Sequence, residues 1–280
     1  MDNEHRPTVA VIGGGQLARM MQESAIALGI ALRALVEAPD GSGGQAIVDA
    51  PVGDPRDLAA VLALIEGADV LTFEHEHIPA AVLEACAPLV AIEPPAAALL
   101  HAQDKLAMRE RLTAMGVPCP RWARVETRAD LEAFGAAVGW PLVVKTPRGG
   151  YDGHGVKAVH QARDADPWLG EGPLLAEEMV PFTREVAALL ARRPSGEIRS
   201  WPVASTVQED GVCSAVTAPA VGIRPATADL ARRIGEDIAE RLGVTGVLAV
   251  EMFVVGEGDQ ERVLVNELAM RPHNTGHWTI

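Results

Sequence analysis

Apolar residues follow two rhythms along this chain. Short runs rich in Val, Ile and Leu stop at glycine or proline, and between them apolar positions recur every three or four residues. Thr8–Ile12 is β-branched and apolar and ends at Gly13-Gly14-Gly15, which predicts a strand and a tight turn. Leu17, Met20, Met21, Ala25 and Leu28 then mark one face of a helix that Gly29 closes. Further strands are expected over Ala31–Val36, Ala68–Phe73 and Leu89–Ile92. A polar glycine-rich loop follows Val36, and Pro79 stands where a helix would open. Strand and helix alternating in this way predict a parallel α/β sheet.

Beyond residue 97 the pattern changes to hairpins. A helix is expected over Asp104–Met115, stopped by Gly116 and Pro118, and another from Thr127, with Asp130 completing its cap, to Gly139. The strand Leu142–Thr146 leads through RGGYDGHG to a return strand, Val156–Val159. Leu174–Val180 reads as a strand with Glu177 and Glu178 on opposite faces. Glu185–Ala191 and Ile198–Val207 flank the turn Pro194-Ser195-Gly196, and Pro225 opens a helix to about Leu242. The strands Gly246–Val255 and Arg262–Met270 then each carry one acid among apolar neighbours, Glu251 and Glu267. A hairpin folded about Asp259 would oppose these two acids, with Cβ atoms about 4.5–5.5 Å apart. Carboxylates so placed repel unless a cation or proton separates them, and Mg²⁺ binds through one or two carboxylates plus substrate phosphate oxygens.

Bulk properties narrow the field. The 280 residues allow two domains, and 48% hydrophobic with 22% charged residues is ordinary for a globular protein. A net charge of −14 argues against nucleic-acid or anionic-membrane partners. No apolar run approaches the roughly 18–20 residues of a membrane span. MDNEHRPT lacks the apolar core of a signal sequence, so a cytoplasmic protein is expected. Cys86, Cys119 and Cys213 have no zinc-type spacing and read as reduced thiols.

Several segments carry candidate chemistry. Gly13-Gly14-Gly15-Gln16-Leu17-Ala18 fits G-x-G-x-x-A, with Glu37 about where a ribose-binding acid would sit. That pattern alone would suit an NAD-dependent oxidoreductase, although any anion could use the turn and helix N-terminus. In FEHEHIP a continuing strand would put Glu74 and Glu76 on one face and His75 and His77 on the other, which disfavours a metal and makes Glu76 a substrate-contact candidate. Lys145, at the end of an apolar strand and before a glycine loop, forms a candidate phosphate clamp. It is not a Walker A loop. Arg271, His273, Asn274 and His277 crowd the last residues.

The order GGGQLARM, TFEHEHIP, a QDK-started helix, VVKTPRGGYDGHG, EEMVPFTREVA, VEMF and NELAMRPHNTGHW resembles the N5-carboxyaminoimidazole ribonucleotide synthetases, an ATP-grasp family, across the whole chain. The resemblance implies a Rossmann-like domain over residues 1–97 and an ATP-grasp domain over 98–280. It implies ATP-dependent carboxylation of 5-aminoimidazole ribonucleotide through carboxyphosphate, with bicarbonate and Mg²⁺, in a homodimer. The implied ATP contacts are Lys105, Lys145, Gly150, Tyr151, Asp152, Gly153, His154, Gly155, Val156, Glu177, Glu178, Val180, Glu185, Asn266 and Glu267. Those for the ribonucleotide are Gln16, Leu17, Glu76, Tyr151, Asp152 and Asn274, with Arg271 and His273 near carboxyphosphate and Mg²⁺ on Glu251 and Glu267. Asp152, Lys145 and Arg271 are the candidate catalytic residues. His154 stands where the family usually has Arg or Lys, and Val156 where Gln is common. The family's smaller C-terminal domain would follow Ile280, so the chain as written is expected to bind ATP and turn over poorly. A formate-dependent glycinamide ribonucleotide transformylase and an inactive nucleotide-binding module remain alternatives.

Overall fold

The computed structural model describes residues 6–150, 155–209 and 212–279. The fold divides into two compact units. One holds everything up to Leu99 together with Val244–Gly246 and Met270–His273, and the other holds Leu100–Gly243, Val247–Ala269 and the residues from Asn274 onward.

In the first unit the order is β1 (Thr8–Ile12), α1 (Gln16–Ala27), β2 (Ala31–Leu35), α2 (Leu58–Ile65), β3 (Val70–Phe73), α3 (Ala80–Cys86), β4 (Ala91–Ile92) and α4 (Ala96–Gln103), the last running past Leu99. The strands form a parallel sheet in the order β2-β1-β3-β4. Strand β1 lies between two neighbours, and Ala10, Val11 and Ile12 are fully buried. The loop after β2 contains α2, which pattern reading passed over. DLAAVLALI is apolar on nearly every side, so its period is hard to see, but Asp57 caps it by accepting from Ala59 N.

The second unit contains α5 (Lys105–Ala114), β5 (Trp122–Val125), α6 (Arg128–Val138), β6 (Leu142–Lys145), β7 (Val156–Val159), β8 (Leu174–Glu178), β9 (Phe182–Arg192), β10 (Ile198–Ser200), β11 (Ala204–Glu209), β12 (Val212–Thr217), α7 (Pro225–Leu242), β13 (Gly246–Val255) and β14 (Arg262–Ala269). One antiparallel sheet runs β5-β8-β6-β7 and buries Leu142, Val144, Leu174 and Ala176 against Leu131 of α6. The other runs β12-β11-β9-β13-β14, with β10 also on β9. The strand expected over Ile198–Val207 is therefore two strands. Pro202 has no N–H for the ladder, and β9 pairs with β10 through Leu190–Arg192 and with β11 through Glu185–Ala187. Helix α7 packs on β9 and β14. Its Gly235 leaves room for Leu190, whose Cδ2 would lie 3.1 Å from an added Cβ.

Helix α6 begins with a reciprocal cap. Thr127 Oγ1 accepts from Asp130 N at 3.2 Å while Asp130 Oδ2 accepts from Thr127 N at 2.9 Å. Thr127→Ala should therefore lower the unfolding free energy by about 1 kcal/mol. Urea denaturation measures it, and an unchanged midpoint would show that the cap contributes nothing.

Candidate functional site

The glycine turn of the first unit binds the chain's own carboxylate. Strand β3 ends at Phe73, so the alternation expected through FEHEHIP does not apply. Glu74 turns back and accepts from Gly15 N and, at 2.9 Å, from Leu17 N, at the start of α1. A Cβ on Gly13 would lie 2.8 Å from Glu74 Cβ, and one on Gly15 would lie 2.5 Å from Glu74 Oε1. These glycines admit Glu74, and its charge sits at the positive end of α1. A dinucleotide pyrophosphate would need those same donors, so the oxidoreductase reading loses its one support. Gln16 is exposed and Leu17 half-buried beside this cap.

Glu76 also leaves the strand pattern. Its Oε2 accepts from Arg271 Nε at 2.8 Å, and Arg271 Nη1 donates to Pro272 O. Two sequence-predicted contacts, 195 residues apart, are thus an ion pair. The His75 and His77 rings lie 5.8 Å apart, and His77 N donates to His75 Nδ1. Burial pushes the His75 pKa down, helped by His77 and opposed by Glu74, Glu37 and Glu76. His273 and Asn274 are half-buried.

The second unit gathers charges in its interior. Glu177 on β8 is 2% exposed and takes Lys145 Nζ on one oxygen at 2.7 Å and Arg109 Nε on the other. Lys145 Nζ also donates to Asn266 Oδ1 at 3.2 Å, while Arg109 Nη2 donates to Asn266 O at 2.7 Å. Lys105 Nζ meets Glu267 Oε1 at 2.9 Å. Three cations thus stand against the two carboxylates they pair with. Burial raises the cost of ionising Glu177, but Lys145 and Arg109 outweigh it and hold the carboxyl below its ordinary value. Desolvation likewise opposes ionisation of Glu267, although its side chain is 41% exposed, and Lys105, Lys145 and Arg109 again hold it below its ordinary value.

Glu251 pairs with Glu267 across β13 and β14, by a route the symmetric hairpin did not include. From Val255–Arg262 to Met252–Val265 the register is regular, and then it slips so that Glu251 faces Glu267. Asn266 is the surplus residue of a β-bulge. The bulge lets consecutive residues, Asn266 and Glu267, both reach lysines of one cluster. Hard oxygen donors from two opposed acids suit Mg²⁺, which takes one or two carboxylates and fills its shell from phosphate and water. No three His, Cys, Asp or Glu side chains form a fuller metal cage among the described residues.

The remaining predicted contacts surround this group along the chain. Glu178 accepts from Arg121 through backbone N and Nε at 2.9 and 2.7 Å. Val180 is buried, and Val156 pairs with Lys145 as β7 begins. Glu185 is half-buried and its carboxyl is pushed up by burial. Burial, then the charges of Glu251 and Glu185, raises the Cys213 thiol. At the glycine loop, Thr146 N donates to Gly155 O, and Gly155 has φ +71° with Thr146 Oγ1 only 2.4 Å from an added Cβ. Arg148 Nε reaches Asp104 Oδ2 at 2.9 Å, and Lys105 N donates to Pro147 O, so the loop base near Gly150 is tied to α5. Tyr151, Asp152, Gly153 and His154 lie outside the described residues.

Comparison with known proteins places this geometry. Residues 7–103 match the ribonucleotide synthetase preATP-grasp domain and residues 110–280 the ATP-grasp domain. The N5-carboxyaminoimidazole ribonucleotide synthase of Corynebacterium ammoniagenes is 46% identical, covering 98% of this chain and 68% of that protein. The chain belongs to the N5-carboxyaminoimidazole ribonucleotide synthase family of ATP-grasp proteins. The family member of Mycobacterium bovis is 49% identical over 98% of this chain, which spans 65% of that relative's length. Among solved structures, the synthetase of Thermus thermophilus superposes with a TM-score of 0.89 at 35% identity, covering 97% of this chain and 73% of that one. The Aspergillus clavatus synthase, in complex with ADP and 5-aminoimidazole ribonucleotide, does so at 0.89 and 32%, covering 98% and 72%.

Sequence reading missed Glu74, Arg109 and Arg121. Arg109 had a signal, since it lies one helical turn beyond Lys105 on the same face of α5.

A pH dependence follows. Glu177 and Glu267 are held below their unfolded values, so the stability they contribute is fully present above about pH 4.3 and is lost as pH falls through their folded values. The unfolded chain binds more protons in that window. Glu177→Gln should flatten the acid slope of urea midpoints against pH and lower the midpoint at neutral pH. A slope equal to the parent's would contradict it.

Proposed function

We propose that this chain carries out the ATP- and bicarbonate-dependent carboxylation of 5-aminoimidazole ribonucleotide to N5-carboxyaminoimidazole ribonucleotide, a step of purine biosynthesis. The observation that carries the reading is the convergence of Lys105, Arg109 and Lys145 on Glu177, Asn266 and Glu267, with Glu251 opposed to Glu267. Lys105 and Lys145, held in one cluster, present ammonium donors suited to the oxygens of a polyphosphate. The A. clavatus relative was captured with ADP and 5-aminoimidazole ribonucleotide.

In this reading Lys105 exchanges its carboxylate partner for phosphate oxygens, while Lys145 stays on Glu177 and Asn266 and gives its third donor to them. Glu178, Val180 and Glu185 meet the adenosine, and the loop from Gly150 to Val156 meets the phosphates. Glu251 and Glu267 would hold Mg²⁺, which would supply neutralisation of phosphoryl charge, and Asn266 would meet the nucleotide. The γ-phosphoryl group passes from ATP to a bicarbonate oxygen, giving ADP and carboxyphosphate. The exocyclic amine of the ribonucleotide then takes up the carboxyl carbon, released as CO₂, as phosphate departs and Asp152 accepts the amine proton. Gln16, Leu17, Glu76, Tyr151, His273 and Asn274 would orient the ribonucleotide. Arg271, ion-paired to Glu76, would stabilise anionic carboxyphosphate. By the same reading the protein works in the cytoplasm as a homodimer, without nucleic-acid or membrane partners. No helix among the described residues is long and apolar enough to cross a membrane.

ADP release should require Mg²⁺ and rise when bicarbonate and 5-aminoimidazole ribonucleotide are supplied together. Glu267→Gln should reduce it about a hundredfold or more. Stimulation by formate with glycinamide ribonucleotide would point to the transformylase instead, and tight ATP binding without turnover under any pairing would leave a nucleotide-binding module.

A further inference from the structure

Glu267 stands beside Glu251 only because the ladder slips at Asn266. With the register of Met252–Val265 continued, Glu251 would face Asn266 and Glu267 would turn to the other face of the sheet. The bulge alone prevents this. A bulge breaks the ladder locally, so its backbone groups need partners outside the ladder.

Arg109 supplies one. It is 0% exposed, and its guanidinium spans three elements. Nη2 donates to the carbonyl of the bulge residue, Asn266, at 2.7 Å. Nε is locked on Glu177 of β8, and Nη1 lies 3.8 Å from Cys119 Sγ. The same Glu177 and the side chain of the same Asn266 hold Lys145. Arg109, Glu177, Lys145 and Asn266 therefore form a closed ring that ties the bulge on the larger sheet to the smaller sheet. The planar guanidinium fork serves the Glu177 carboxylate through Nε and the Asn266 carbonyl through Nη2, two donors at a fixed separation.

We infer that Arg109 is a positioning residue that fixes the bulge at Asn266 and thereby aims Glu267 at Glu251, without itself touching nucleotide or metal. The inference rests on the proposed Mg²⁺–ATP site and deepens it.

The test compares Arg109→Met and Arg109→Lys with the parent chain by calorimetric titration of ATP, with and without Mg²⁺, alongside unfolding midpoints. The readout is the ratio of the two dissociation constants, which a general loss of stability would not change. In folded Arg109→Met the Mg²⁺ enhancement should fall about tenfold or more. In Arg109→Lys, which keeps the charge opposite Glu177, it should fall by a smaller factor, with a smaller loss of midpoint than in Arg109→Met. A parental ratio in folded Arg109→Met overturns the inference. If Arg109→Met does not fold, Arg109→Lys decides: a lowered ratio supports the inference, and a parental ratio assigns Arg109 to folding alone and overturns it. Failure of the parent to bind ATP more tightly with Mg²⁺ overturns the proposed site itself, and this inference with it.

Discussion

Everything chemical in the second unit depends on keeping Glu177 ionised where water barely reaches it. An unpaired carboxylate there would cost several kcal/mol, so the group is stable only with Arg109 and Lys145 both in place. That requirement draws α5, β6, β8 and β14 together, because each contributes one member of the ring. Lys105 and Glu267 satisfy each other at its side. The arrangement is poised: Lys105 is held by Glu267, and Lys145 by Glu177 and Asn266, each with donors to spare for phosphate oxygens.

The glycine turn of the first unit illustrates the opposite use of a similar device. A helix N-terminus with bare glycines is an anion site, and here the anion is Glu74. The carboxylate ties the end of β3 to the start of α1, the two places from which Glu76 and Gln16 project. The backbone donors of a motif that reads as ligand-binding here serve internal scaffolding.

Much of the architecture was legible because it is local. The capping box of α6, the proline-opened α7 and the glycine that stops α5 all appear at fixed spacings of turn and cap residues. The opposition of Glu251 and Glu267 was also legible, yet the symmetric count reached it only because a tighter turn and a surplus Asn266 offset each other. What remained hidden was set by tertiary contacts. Nothing near Arg109 in sequence announces that Glu177, 68 residues on, and Asn266, 157 residues on, will meet it. The reversal of Glu74 was equally unreadable, because the strand rule assumes that the strand continues. Helix α2 escaped because its apolar residues leave no polar face to give the period away.

The central claim is that Glu251 and Glu267 are aimed at one metal ion beside a nucleotide held by Lys105 and Lys145. Crystals of this chain grown with ATP and with Mn²⁺ in place of Mg²⁺ would test it through the anomalous signal of manganese. The account predicts one dominant peak about 2.0–2.3 Å from an oxygen of each of the two glutamates and from phosphate oxygens of the nucleotide. A manganese peak away from both carboxylates, or a bound nucleotide with Lys105 still on Glu267 and no metal beside it, would contradict the account.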